Sequence, residues 1–126
     1  TLEFVAASDV YKRQIIISNP CFEVWLLYHK LKDLKDIDCS KAQKVKEALH
    51  KQEKGGYFYL KYLPLLKDAI VNAKANDSHL KSYFPDSKET KVYLLAEALM
   101  EKIGEPRFNK FIGEILPTLN PTKSKK

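Results

Sequence analysis

The chain has 126 residues, 44% hydrophobic and 30% charged, the size and composition of one soluble domain around one modest core. No apolar run approaches the roughly 20 residues that span a bilayer, and no basic segment leads into an apolar one at the N-terminus. A helical membrane protein and an exported one are therefore not expected. Lys and Arg number 22 against 16 Asp and Glu, a formal charge of +6, and half of that excess lies in Thr122-Lys123-Ser124-Lys125-Lys126. The remainder is spread over segments that also carry acids, as solvated helix faces do. Cys21 and Cys39 are too few for a disulfide scaffold or a four-ligand zinc site, so a reducing cytoplasm is the expected compartment.

The segment Asp9-Val10-Tyr11-Lys12-Arg13-Gln14 reads as the in-frame translation of GAT GTG TAT AAG AGA CAG, the transposon mosaic end joined to fragments in sequencing-library preparation. Such scars are set aside before fold reasoning. Residues 1–14 are accordingly expected to be a foreign leader, with the natural sequence beginning near Ile15. The alternative is a genuine strand over Thr1 to Ala7, which Leu2, Phe4 and Val5 permit, followed by a polar turn.

Ile15-Ile16-Ile17 is a short β-branched run stopped by Ser18-Asn19-Pro20 and predicts a buried strand of an α/β sheet. Since one strand makes no sheet, its partners are expected in sequence outside this chain, or else the segment packs as an extended stretch against helices. Pro20 suits a first helical turn, with Ser18 or Asn19 as the cap, so a helix is predicted from Pro20 to about Asp33, apolar around more than half its circumference. Ser40 is the expected cap of a second helix, Lys41 to Glu53, with Ala42, Val45, Ala48 and Leu49 at core spacing. A third runs from near Leu60 to about Ala75, its regular part starting close to Pro64. Asn76 to Thr90 reads as a polar connection, with Ser87 and Thr90 as capping candidates. A fourth helix, Lys91 to Ile103, has Val92, Leu95, Ala96, Leu99 and Ile103 as its core face and stops at Gly104. A fifth, Arg107 to Leu116, lines up Phe108, Phe111, Ile112 and Ile115. Beyond it, residues 118–126 form a basic tail whose lysine-rich end has no apolar residues to bury, expected to be disordered.

No glycine-rich phosphate loop is present. Chemistry is expected where strand end, turn and helix start coincide, in Ser18-Asn19-Pro20-Cys21-Phe22-Glu23-Val24-Trp25-Leu26-Leu27. In open α/β sheets ligands lie beyond the carboxyl ends of strands, beside helix termini that offer free amides. Asn19 and Glu23 are the candidates there; equally, Asn19 caps the helix and the helix dipole favours an acid such as Glu23 in its first turn. Cys21 reads as a small buried residue rather than a nucleophile. His29, ten residues and roughly 15 Å along a helix from Asn19, reads as structural. His50 and His79 stand alone, without a ligand arrangement for a metal. Trp25 reads as core, and Tyr57-Phe58-Tyr59 with Lys61 and Tyr62 is the better aromatic and basic patch, packing between helices being its alternative role.

The same ten residues, with His29 following, resemble the signature of the RloB-like family, prokaryotic proteins encoded beside restriction systems and associated with phage defence; Val24 stands where Leu is usual. Weaker echoes are Ala69-Ile70-Val71-Asn72-Ala73-Lys74 and Thr90-Lys91-Val92-Tyr93-Leu94-Leu95, for a resemblance over about Ile15 to Leu99. It implies a Toprim-like α/β domain and metal-dependent cleavage of nucleic acid, with an N-terminal Glu and a downstream Asp-x-Asp holding Mg²⁺. Neither motif precedes Ile15. The expectation is therefore an α/β fragment, predominantly α-helical: the last strand and helix of a Toprim-like sheet and a helical C-terminal subdomain over residues 15–117. Asn19 and Glu23 would support an incomplete site, the fragment itself would hold no cofactor, and Mg²⁺ belongs to the full-length protein. The alternative is a non-catalytic helical module that binds nucleic acid or protein.

Overall fold

The computed structural model describes residues 2–7, 13–53 and 59–119. A small antiparallel sheet of order β1-β2-β3 (Leu2–Ala7, Arg13–Asn19, Glu89–Thr90) is followed and surrounded by helices. These are α1 (Glu23–Leu27), α2 (Ala42–Gln52), α3 (Tyr59–Tyr62), α4 (Leu66–Ala75), α5 (Val92–Ile103) and α6 (Glu105–Ile115), with 3₁₀ turns at Leu63–Leu65 and Leu116–Leu119. The expectation of an α/β, predominantly helical chain holds. None of the helices among the described residues is long and apolar enough to cross a membrane. The basic residues 120–126 lie outside the described residues, as do Asp9 to Lys12 of the expected leader.

The predicted strand exists, but its partners are in this chain. Strand β2 pairs with β1 in the register Leu2↔Ser18, Phe4↔Ile16, and with β3 through Ser18↔Thr90 and Asn19↔Glu89. The second partner was invisible as a strand because Glu89–Thr90 is only two residues long, too short for an alternating pattern.

Helix α1 is the centre of the core, as its sequence predicts. Val24, Trp25, Leu26, Leu27 and Tyr28 are all buried, together with Val45, Leu49, Tyr62, Ala69, Ala73, Tyr93 and Ala96. Full burial of Val24 and Leu27 contributes about 1.5–3 kcal/mol each. The helix is shorter than Pro20 to Asp33 at both ends. The Asn19–Pro20 peptide is cis, regular helix begins at Glu23, and neither Ser18 nor Asn19 caps it. At the other end the ladder tightens into i to i+3 bonds, His29 N to Leu26 O and Lys30 N to Leu27 O, because α4 takes the next carbonyls. Asn72 Nδ2 donates to Tyr28 O at 2.9 Å and Asn76 Nδ2 to Lys32 O at 2.8 Å.

Ser40 does not cap α2 either: its amide and hydroxyl both donate to Asp38 Oδ1, and the residue before the helix is Lys41. Pro64 falls in the 3₁₀ turn between α3 and α4, where its missing N–H interrupts nothing. Gly104 separates α5 from α6 at φ 88°, a conformation that favours glycine. The predicted inner face of α5 is rotated. Tyr93 and Ala96 are buried, whereas Leu99 and Ile103 are exposed, and on α6 Phe108 is buried while Phe111 is not.

What rotates α5 is the largest feature the sequence did not reveal, a polar core inside the supposed connection 76–90. Lys91 Nζ donates to Asp77 Oδ1 and Oδ2 at 2.7 and 2.6 Å and to His79 O at 2.8 Å. Both side chains of the pair are 0% exposed. Tyr93 Oη donates to Asp77 Oδ2 at 2.5 Å and the His79 amide to Oδ1 at 3.1 Å. Burial pushes the Asp77 carboxyl up, but the bonds from Lys91, Tyr93 and His79 outweigh it and hold the group below the ordinary carboxylate value. Burial and the bond to Asp77 raise the Tyr93 phenol.

Removing one member of such a pair strands the other charge. Asp77→Ala is expected to destabilise the chain by about 3–5 kcal/mol in urea denaturation, and Tyr93→Phe by about 1–3 kcal/mol. Because the folded carboxyl is depressed, its contribution is present above the unfolded value near 3.9 and is lost as pH falls below it. A second, milder pH dependence comes from His29, whose ring is buried against Trp25 and Tyr62 and whose Nδ1 lies 3.1 Å from Trp25 O. Burial lowers it to about 4, against the opposing effect of its backbone bonds. The unfolded chain then binds the proton first, so stability falls between about pH 6.5 and 4. His29→Phe is expected to flatten that part of the stability profile.

Candidate functional site

The signature segment spans the end of β2 and the whole of α1, and its polar members face two different places. Ser18 Oγ and Thr90 Oγ1 are 2.6 Å apart at the β2–β3 pairing, and Thr90 Oγ1 also accepts from Val92 N. Thr90 thus holds the entrance to α5 from one residue outside it; the cap position is Lys91, so neither Thr90 nor Ser87 caps the helix. Asn19 Nδ2 donates to Pro85 O at 3.1 Å, and Asn19 O accepts from Lys88 N at 2.9 Å. Asn19 therefore clamps residues 85–88 to the strand end. It caps no helix.

Lys88 sits at φ 72°, an unfavourable region for a residue with a side chain. Its surroundings dictate that geometry: its N–H is on Asn19 O, its carbonyl accepts from Tyr28 Oη at 2.6 Å, and its ammonium reaches Lys35 O at 3.3 Å. Glu89, buried beside it, accepts from Ser78 Oγ and Asp86 N at 2.6 and 2.9 Å and so closes the loop.

Glu23 turns elsewhere. With Phe22, just before α1, and Leu26 within it, Glu23 lines a cavity of 380 Å³ whose far wall is Lys46, Leu49, His50 and Glu53 of α2 and its end. Lys46 and His50 are exposed on α2 and project into that space because they lie one turn apart on one face. Glu53, three residues after His50, is committed already: Lys30 Nζ lies 2.9 Å from Oε1 and Lys61 Nζ 3.4 Å from Oε2. Those contacts hold its carboxyl low, the Lys30 bond most of all and against the opposing effect of burial. His50 has no partner at local spacing that reveals its place, because the neighbours across the cavity come from another helix. Cys21 is buried and its thiol pushed up by burial and by Glu23, as for a packing residue.

The remaining aromatic and histidine candidates separate in the same way. Trp25 and His29 are buried in the core. Of the Tyr57 to Tyr62 patch, Tyr62 is buried and Tyr59 exposed, while Tyr57 and Phe58 lie outside the described residues. His79 is exposed, with Nε2 at 3.2 Å from Asp86 Oδ2. Among the described residues no three His, Cys, Asp or Glu side chains are grouped to hold a metal ion.

The weaker echoes of the family also resolve into architecture. Ala69 and Ala73 pack against α1, Asn72 holds the Tyr28 carbonyl, and Thr90, Lys91 and Tyr93 are the buried polar residues that join loop, strand and α5. No curated protein and no solved structure matches this chain. The family model described as RloB-like protein matches residues 3–99, more than half of the chain and all of the elements from β2 to α4, and on that match the chain belongs to the RloB-like family.

Proposed function

We propose that this chain is the C-terminal, nucleic-acid-contacting part of a cytoplasmic phage-defence protein whose full-length form is a Toprim-like, Mg²⁺-dependent nuclease. The observation that supports this best is the placement of Glu23, a carboxylate of the signature segment, on the wall of a cavity that also presents Lys46 and His50. A lysine attracts and orients a phosphodiester, and a carboxylate or imidazole beside it handles the proton that cleavage moves. The described residues do not fit a Mg²⁺ site: they contain no metal-holding group, Asn19 is engaged by Pro85 and Lys88, and Glu53 is engaged by Lys30 and Lys61. Glu23 accordingly supports the site and Asn19 shapes the loop beside it, while the acids that hold Mg²⁺ belong elsewhere in the full-length protein. The basic surplus, 22 Lys and Arg against 16 Asp and Glu, favours a second reading, a non-catalytic helical module that binds nucleic acid or protein.

Two measurements separate these readings. This chain is expected to bind nucleic acid without cleaving it, with affinity falling about tenfold or more between roughly 50 and 200 mM salt as phosphate contacts release counterions. With the upstream coding sequence of its gene joined to it, Mg²⁺-dependent cleavage is expected. Glu23→Gln should then lower the cleavage rate about 10²-fold, the scale of a positioned acid–base group, at unchanged melting temperature. Asn19→Ala should instead lower stability by about 1–2 kcal/mol through the freed 85–88 segment. Binding without cleavage by the extended protein supports the second reading; no binding of nucleic acid by either protein at low salt removes the first reading and the nucleic-acid form of the second.

A further inference from the structure

We propose that the loop 78–84 is a stacking platform for single-stranded nucleic acid; this deepens the nucleic-acid reading above and rests on it. Leu80, Tyr83 and Phe84 are 60%, 54% and 66% exposed, so three large apolar side chains within five residues face solvent. Tyr83 and Phe84 are consecutive and sit outside any helix or strand. Their neighbours are polar: Asp77, Ser78, His79, Lys81 and Ser82 line, with Leu80, an open recess of 560 Å³ at the same loop, and the Asp77 carboxylate there is taken up by Lys91. An apolar protein partner would call for a continuous greasy face, whereas interleaved aromatic rings, hydroxyls and a lysine suit bases and phosphates.

A flexible loop would lose entropy on binding, but this one is held at both ends. The buried Asp77–Lys91 pair fixes its start, including the His79 carbonyl and amide. Asn19 Nδ2 on Pro85 O and Glu89 on the Asp86 amide fix its finish, and Ser82 Oγ accepts from Phe84 N inside it. The rings are thus presented on a preformed base, which lowers the ordering cost of binding. The second anchor is also the clamp at the end of β2, so a strand lying on Tyr83 and Phe84 runs beside the signature segment. The loop's exposed acid, Asp86, is occupied by Ser78 Oγ and lies against His79. Lys81, exposed in the middle of the loop, offers a cation to a phosphate beside the rings.

The test is fluorescence anisotropy of a labelled oligothymidine of about 15 nucleotides, and of a duplex of similar length, at low salt. Tyr83→Ala/Phe84→Ala is expected to weaken oligothymidine binding about 10 to 100-fold, the loss of one or two stacked bases, and duplex binding less than about threefold. Phe84→Trp is expected to retain affinity and to show indole fluorescence quenched by the oligonucleotide. The double variant should melt with the wild type, since both rings are exposed. Wild-type binding that the double variant retains, with no quenching in Phe84→Trp, overturns the platform and leaves the nucleic-acid reading standing. Absence of all binding by the wild-type chain overturns both. A wild-type dimer in sedimentation that the double variant lacks, with unchanged oligothymidine affinity, assigns the rings to a second copy of the chain and also overturns the proposal.

Discussion

The buried pair Asp77–Lys91 is the constraint on which the rest of this structure turns. Lysine and aspartate side chains with no exposure at all are tolerable only when nearly every hydrogen-bonding position is used. Here the carboxylate takes two bonds from Lys91, one from Tyr93 and one from the His79 amide, and the ammonium reaches a third acceptor, the His79 carbonyl. Lys91 also donates its backbone N–H to Ile17 O at 2.8 Å. One residue thereby joins the middle strand, the loop and the first turn of α5. The orientation of α5 follows, because Tyr93 must point at Asp77, and that places Leu99 and Ile103 outward.

This explains which parts of the fold were legible. Apolar spacing carried most of α2, with Val45 and Leu49 inside, and most of α4, with Ala69 and Ala73 inside; Gly104 and Pro64 marked breaks correctly because each acts through its own backbone. Spacing failed on α5, where Leu99 and Ile103 have core periodicity but a polar anchor decides the rotation. It failed again at β3, two residues whose partner lies 72 positions away in the Ser18–Thr90 contact. The cap readings of Ser18 and Asn19 failed because tertiary structure supplies other partners, Thr90 and Pro85, and that of Ser40 failed because a local acceptor, Asp38, takes both its amide and its hydroxyl.

The candidate site shows the same division between local and distant information. Proximity along the chain joined Asn19 to Glu23, yet the fold sends them to different neighbours, the first to the 85–88 segment and the second to α2. Their separation at the strand end also weakens the analogy with parallel sheets, since every pairing described here is antiparallel. A carboxylate beyond the end of such a strand inherits no ligand site from topology alone, so the case for Glu23 rests on Lys46 and His50 across its cavity.

A family signature that is mostly buried says as much about folding as about chemistry. Of the ten residues Ser18 to Leu27, six are enclosed in the core or the sheet and a seventh, Asn19, is spent on a clamp. Only Pro20, Phe22 and Glu23 are left partly open to solvent without such a commitment, and of these only Glu23 can ionise. The clamp itself is not idle, because what it holds still is a loop that turns two aromatic rings to the solvent. Rigid polar anchoring of an otherwise unsupported apolar loop costs desolvation that a simple connection would avoid, and a surface kept in one shape at that cost is the part of this chain best prepared to meet a ligand.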